Sequence, residues 1–152
     1  MAGRLAGIAR HDRPFGPVET LDHISVTQAE GLHGDFRGGR ASTKPSRKRQ
    51  VSLIEAEGVT AAMAEAGALI DWSDCRRNLL VQGVRLPRVP GTRVQIGDRL
   101  VLEITDECDP CQRMDALHEG LRAALIPDWR AGFLSRVIED GEIAVGDEIR
   151  VL

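Results

Sequence analysis

Ile143-Ala144-Val145-Gly146-Asp147-Glu148-Ile149-Arg150-Val151-Leu152 ends the chain, and the order of its residue types decides the fold. An apolar residue, Gly-Asp, one polar residue and a β-branched or leucine run stand again at Ile96-Gly97-Asp98-Arg99-Leu100-Val101-Leu102-Glu103-Ile104. Glycine supplies the positive φ of a tight turn and aspartate caps it, so both copies predict a turn feeding a strand. Outward from them, Arg4–Ala9 reads as a short apolar strand and His23–Thr27 alternates as a half-buried one does. Asn78–Val81 and Thr92–Ile96 are further strands, and Asp140-Gly141 signals a hairpin between Val137-Ile138 and Ile143. Residues 31–49, rich in Gly with Pro45, read as turns. One helix is predicted after Val51–Leu53. Ser52 and Glu55 have capping-box spacing, Val59, Ala62, Met63 and Ala66 share a face, and Gly67 stops it. Many short strands with inserted α-helices predict a mainly β fold, a small closed or nearly closed β-barrel. No linker divides it, so residues 1–152 read as one domain.

Composition narrows the function. Only 3% of residues are aromatic, with no Tyr, so the core must be aliphatic and no base-stacking platform is available. A net charge of −3 argues against coating nucleic acid. No run is long and apolar enough for a membrane span or a signal peptide. Three cysteines suit a reduced compartment rather than a disulfide framework, so a cytoplasmic protein is expected.

Two features could carry chemistry. In Asp109-Pro110-Cys111-Gln112, Asp is a favoured N-cap, Pro fits the first helical position, and Gln completes a capping box. Met114, Leu117, Leu121 and Leu125 then predict one helical face. Cys111 would sit at the positive end of that helix, where a thiolate is favoured; Arg113 helps, and Asp106, Glu107 and Asp109 oppose. Such a sulfur can ligate a soft metal, carry a second sulfur or attack an electrophile. A buried, inert cysteine beside a proline turn is the alternative. Cys108 and Cys111 also form a CxxC pair. A zinc site would need help from Cys75, His118, His33, His23 or His11, and no second pair stands at finger spacing.

The second feature is a basic loop. Arg37, Arg40, Lys44, Arg47, Lys48 and Arg49 occur between Phe36 and Ile54 with no acidic residue among them. Arginine forks and close backbone approach at glycines suit an anion such as phosphate, whereas a solvated, mobile loop is the bland reading. Arg76, Arg77 and Asn78 before an apolar strand, and Asp128-Trp129-Arg130 with Arg136, are further polar candidates.

Taken in order, Gly31-Leu32-His33-Gly34-Asp35-Phe36-Arg37-Gly38-Gly39, Arg49–Glu55, Arg77–Val84, Gly97-Asp98, Asp109-Pro110-Cys111 and Gly141–Asp147 carry a likeness. The set resembles the MOSC family, the domain at the C-terminus of molybdenum cofactor sulfurases that also occurs as small stand-alone bacterial proteins. The resemblance runs from about Arg4 to Leu152. It implies a β-barrel whose single family cysteine, matching Cys111, binds molybdenum cofactor of the molybdopterin type or carries sulfur. Cys111 would then be the catalytic residue and molybdenum ligand, with Arg37, Arg49, Arg77, Asn78 and Arg130 as cofactor-binding positions. Pyridoxal phosphate binding is a further association of the family. Two departures stand out: Phe36-Arg37 replaces a frequent His, and Arg130-Ala131-Gly132 replaces Arg-Gly-Gly.

Three functions follow from the resemblance and the residues. The chain could be a molybdenum-dependent oxidoreductase reducing N-hydroxylated small molecules, drawing electrons from a redox partner because it has no flavin, haem or iron–sulfur motif. It could instead be a sulfur carrier, a sulfurtransferase taking a Cys111 persulfide from a cysteine desulfurase. The third expectation is a non-catalytic module holding a phosphorylated ligand.

Overall fold

A computed structural model describes residues 2–152. Strands β1 (Gly3–Arg10), β5 (Val51–Glu55), β6 (Leu79–Gln82), β7 (Arg93–Ile96), β8 (Leu100–Glu107), β9 (Phe133–Glu139) and β11 (Glu148–Val151) form a ring. Its order is β11-β7-β8-β9-β5-β6-β1, and β1 pairs back with β11 at Gly3↔Ile149, which closes the barrel. All pairings are antiparallel except β5–β6. Register shifts in β1 and at two places between β8 and β9 supply the bends that a small barrel needs. The C-terminal half of β1 pairs with β2 (Glu19–Leu21), while β3 (His23–Thr27) joins β4 (Gly31–Leu32) and β10 (Gly141–Ala144) in a second sheet.

Alternation fills the interior. Leu5, Leu53, Val81, Ile96, Leu102 and Phe133 are fully buried in one cluster, aliphatic but for Phe133. A second cluster lies outside the barrel, where Ile54 on the outer face of β5 meets α2 (Ala56–Ala66) and α4 (Leu121–Leu125). α2 links the two parallel strands and ends at Gly67, whose φ of 68° is the left-handed cap the sequence predicts. Among the described residues no helix is long and apolar enough to cross a membrane.

Several local expectations need correction. The predicted helix, capped by Asp109 and running from Pro110 to Leu125, is two short ones, α3 (Arg113–Leu117) and α4, parted at Gly120 with φ of 88°. Met114, Leu121 and Leu125 are buried as their spacing demands, but Leu117 is 41% exposed, so nothing holds one straight face. α3 starts from Gln112 without a side-chain cap, so Asp109 closes no capping box and Cys111 lies outside the helix. Ser52 is likewise not a cap. It belongs to β5, and α2 follows from Glu55 with no side-chain capping bond. Asp140-Gly141 forms no hairpin: Asp140 alone joins β9 to β10, and β9 pairs with β8 and β5 while β10 crosses to β3. The predicted 143–152 strand breaks at Val145–Asp147 into β10 and β11. The supposed turns of 31–49 contain β4 and a helix, α1 (Phe36–Ala41).

Candidate functional site

β5 and β6 run parallel, so their first residues lie at one end of the barrel. The exit of β1 lies beside the start of β6, and the exit of β8 beside the start of β9, whose Leu134 pairs with Ser52 of β5, so the two chain exits flank β5. Here α1 and the two loops bearing Arg49 and Cys111 enclose a cavity of about 630 Å³. That volume lies within the range of small-molecule sites.

α1 owes its place to the glycine-rich motif. Asp35 caps it, its Oδ2 accepting the Gly38 N–H at 2.9 Å while Oδ1 accepts the His11 N–H at 3.3 Å. Gly38 lies so close to the Gln50 and Glu30 carbonyl oxygens that a Cβ would stand 2.7 and 2.9 Å from them. This contact docks α1 against the loop before β5 and turns Arg37 and Arg40 toward the cavity.

Cys111 is exposed and lines the cavity, whereas Cys75, also lining it, and Cys108 are buried. Burial, the leading cause, raises the Cys75 thiol to about 11, so it stays protonated near neutral pH. Arg77 fixes the loop that carries Cys111. Its Nε donates to the Ala131 carbonyl at 2.7 Å, Nη1 to Cys75 at 3.2 Å and Nη2 to Asp109 at 3.4 Å. The Cys108 N–H adds a bond to the Gly132 carbonyl at 2.9 Å. Gly132 has φ of 120°, and a Cβ there would collide with the Leu53 carbonyl oxygen. Ala131 fits with 1% exposure, so the loss of the first glycine of the family pattern is accommodated.

Arg37, Arg49, Arg77, Asn78 and Cys111, grouped from the sequence, all line this cavity. Arg130 does not. It pairs with Glu65 at 2.7 Å on the surface beside α2, and donates to the Ala124 carbonyl. Asn78 lines the wall but spends its amide within the fold: Nδ2 donates to Ala9 and Oδ1 accepts from the Ser52 N–H and hydroxyl. Desolvation leads in lowering the Arg49 pKa, and Arg37 and Arg77 add to it against the Cys108 and Cys111 sulfurs.

Sequence reasoning weighed His11 only as a zinc ligand and Arg113 only as a charge beside Cys111; both line this cavity. His11, buried at the exit of β1, packs its ring 6.5 Å from Phe36 and brings an imidazole to the wall that lacks the family histidine. Burial first, then Arg76, lowers its pKa from 6.5 against the opposing pull of Asp35. No spacing signal could have placed His11 here, because it comes from a chain segment far from Cys111 in sequence. The described residues hold no group of three or more metal-ligating side chains, so a zinc site built on Cys108 and Cys111 does not form.

Comparison with known proteins places this geometry. The family model of the MOSC domain matches residues 23–150, and the chain belongs to the MOSC domain family. That family is associated with molybdenum cofactor binding. Among solved structures, the YuaD protein from Bacillus subtilis superposes with a TM-score of 0.79 at 21% identity, covering 99% of this chain and 96% of that one. YiiM from Escherichia coli gives 0.68 at 15% identity, covering 98% of this chain and 69% of its own. YiiM from Geobacillus stearothermophilus gives 0.65 at 15%, with 99% and 73% covered. No curated protein matches the sequence.

Proposed function

We propose that this chain binds a molybdenum–pterin cofactor in the cavity, with Cys111 as the metal ligand, and that it reduces N-hydroxylated small molecules. One observation carries the reading: the single exposed thiol lies on the wall of a cavity lined by Arg37, Arg40, Lys44 and Arg49, none of which pairs with a carboxylate among the described residues. The donor set fits the group. A thiolate suits a soft, sulfur-ligated metal, and guanidinium forks suit the phosphate tail of the pterin.

When bound, the cofactor supplies two-electron transfer to an N–O bond. The net reaction breaks that bond, consumes two electrons and two protons, and yields the amine and water. The electrons come from a separate redox protein. The chain's own part is positioning: Arg77 and the Cys108 N–H hold the Cys111 loop, Asp35 holds α1, and Arg37 and Arg49 present charge. His11, largely neutral, can donate or accept a hydrogen bond at the wall.

The test is metal content. Protein purified from a cofactor-competent host should carry molybdenum in equimolar amount, and Cys111→Ser should lose it. Molybdenum absent from the wild type would refute the proposal. A second reading, sulfur carriage, is favoured by the fact that only one of three cysteines is reachable from solvent. Incubation with a cysteine desulfurase would then add about 32 Da, one sulfur atom, to the wild type and nothing to Cys111→Ser.

A further inference from the structure

Asp128 and Trp129 are the only consecutive non-glycine residues with positive φ among the described residues, at 56° and 54°. Side chains disfavour this left-handed backbone, so two residues in succession keep it only where contacts outside the pair impose it. Those contacts come from the loop between β6 and β7. Arg85 donates to both carboxylate oxygens of Asp128, from Nη1 at 2.9 Å and Nη2 at 2.6 Å. Arg88 Nη2 donates to the Asp128 carbonyl at 3.0 Å. Its Nε, buried with no hydrogen-bond partner, lies 3.6 Å from Asp128 Oδ1. Arg88 is in turn held by both oxygens of Glu55. The Trp129 ring packs against Phe133 at the start of β9, 5.3 Å between centres.

The residues after this turn frame the Cys111 loop. The Pro127 carbonyl accepts the Arg130 N–H at 3.1 Å and the Trp129 carbonyl accepts the Gly132 N–H at 3.0 Å, so the turn sets the course of residues 130–132. The carbonyls of Ala131 and Gly132 are the acceptors for Arg77 Nε and the Cys108 N–H. Arg77 Nη2 then reaches the Asp109 carbonyl. Cys111 follows, outside any helix, and one other side-chain tie holds its loop, from Arg122 Nε to the Pro110 carbonyl at 3.4 Å. Asp128 lines neither the main cavity nor the smaller one beside it. It can act on the sulfur only through this chain of carbonyls and donors.

We propose that Asp128 is a positioning residue for Cys111. Clamped by Arg85 and Arg88, it holds the turn whose following carbonyls aim Arg77 and the Cys108 N–H, and so keeps the Cys111 sulfur against the cation-lined wall. This deepens the reading of Cys111 as the reacting group and rests on it.

The test reads the field at the sulfur in the metal-free protein, so a failure to find molybdenum is a separate result. Cys111 is alkylated in low salt with iodoacetate, an anion, and in parallel with neutral iodoacetamide, both rates being followed by intact-mass spectrometry. Cations near the sulfur favour the anionic reagent, so the ratio of the two rates in the wild type should exceed that of the urea-unfolded protein by at least about threefold. Asp128→Ala and Arg85→Gln should each lower the ratio at least about twofold. These substitutions change the net charge in opposite senses, so a fall in both reads displacement of the sulfur rather than an altered field. Glu139→Gln, at the far end of β9 in an exposed pair with Arg99, should leave the ratio unchanged. Label on the buried Cys75 or Cys108 would mark a variant that has opened; Asp128→Asn, the same shape without the charge, then takes the place of Asp128→Ala. Any result other than a fall in both positions overturns the proposal, as does a wild-type ratio no higher than that of the unfolded chain.

Discussion

Side chains on one cavity wall differ in what their donors do. The Asn78 amide is occupied by Ala9 and Ser52, knitting β1, β5 and β6 at the point where the parallel pair begins. Asn78→Ala would leave the Ser52 N–H and the Ala9 carbonyl without those partners, at a cost of about 2 kcal/mol, read as a lowered midpoint in urea unfolding. His11 makes a second case. Its folded pKa lies below 6.5, so as pH falls the unfolded chain takes up the proton first. Stability is therefore lost as pH drops through about 6.5 toward the folded value, and retained above it. Unfolding free energies from about pH 7.5 down to about pH 5.5 should decline for the wild type, and less for His11→Gln. An equal decline in both would remove His11 from the account. At this scale the sequence reading led to an exposed thiol on the cavity wall, but through a helix cap that does not form. Arg76 could be noticed only as one of several charges before a strand, since its left-handed backbone leaves no mark in residue spacing.

Among the elements, strands were read better than their partners. Alternation located β1, β3, β6, β7 and the start of β8, because a barrel buries one face of each strand. Asp140-Gly141 marked where one strand ends and the next begins, but not the sheet that the next strand would join, which depends on contacts with His23–Thr27 far away in sequence. The segment after Cys111 was overextended for a similar reason: apolar spacing survives across Gly120 although the helix does not. The junction of β5 and α2 holds a charge pair that the capping-box reading of Glu55 missed. Both Glu55 oxygens accept from Arg88 at 2.7 Å, Oε2 also takes the Leu86 N–H, and the Arg88 guanidinium lies 5.1 Å from the Phe133 ring centre. With side-chain exposures of 7% and 15%, breaking the pair strands a buried charge. Glu55→Gln should cost about 3 kcal/mol by chemical denaturation, well beyond the effect of Glu65→Gln at the exposed pair with Arg130.

For the molecule as a whole, closure of the ring is what gathers the site. The ring sets β5 between β6 and β9, so the exit of β1 beside β6 and the exit of β8 beside β9 flank one strand, and Arg49, Asn78, His11 and Cys111 line one cavity although 100 residues separate the last two. The barrel class was readable from many short strands; the partition of cations between structural and uncommitted roles was not, because it follows from carbonyls and carboxylates that only folding brings near. Arg130 shows this, a family position diverted to Glu65. The central claim is that the Cys111 sulfur is a ligand of molybdenum. X-ray absorption at the molybdenum edge tests it most directly: the wild type should show one more sulfur in the first coordination shell than Cys111→Ser reloaded with cofactor. Identical shells in the two proteins would contradict it.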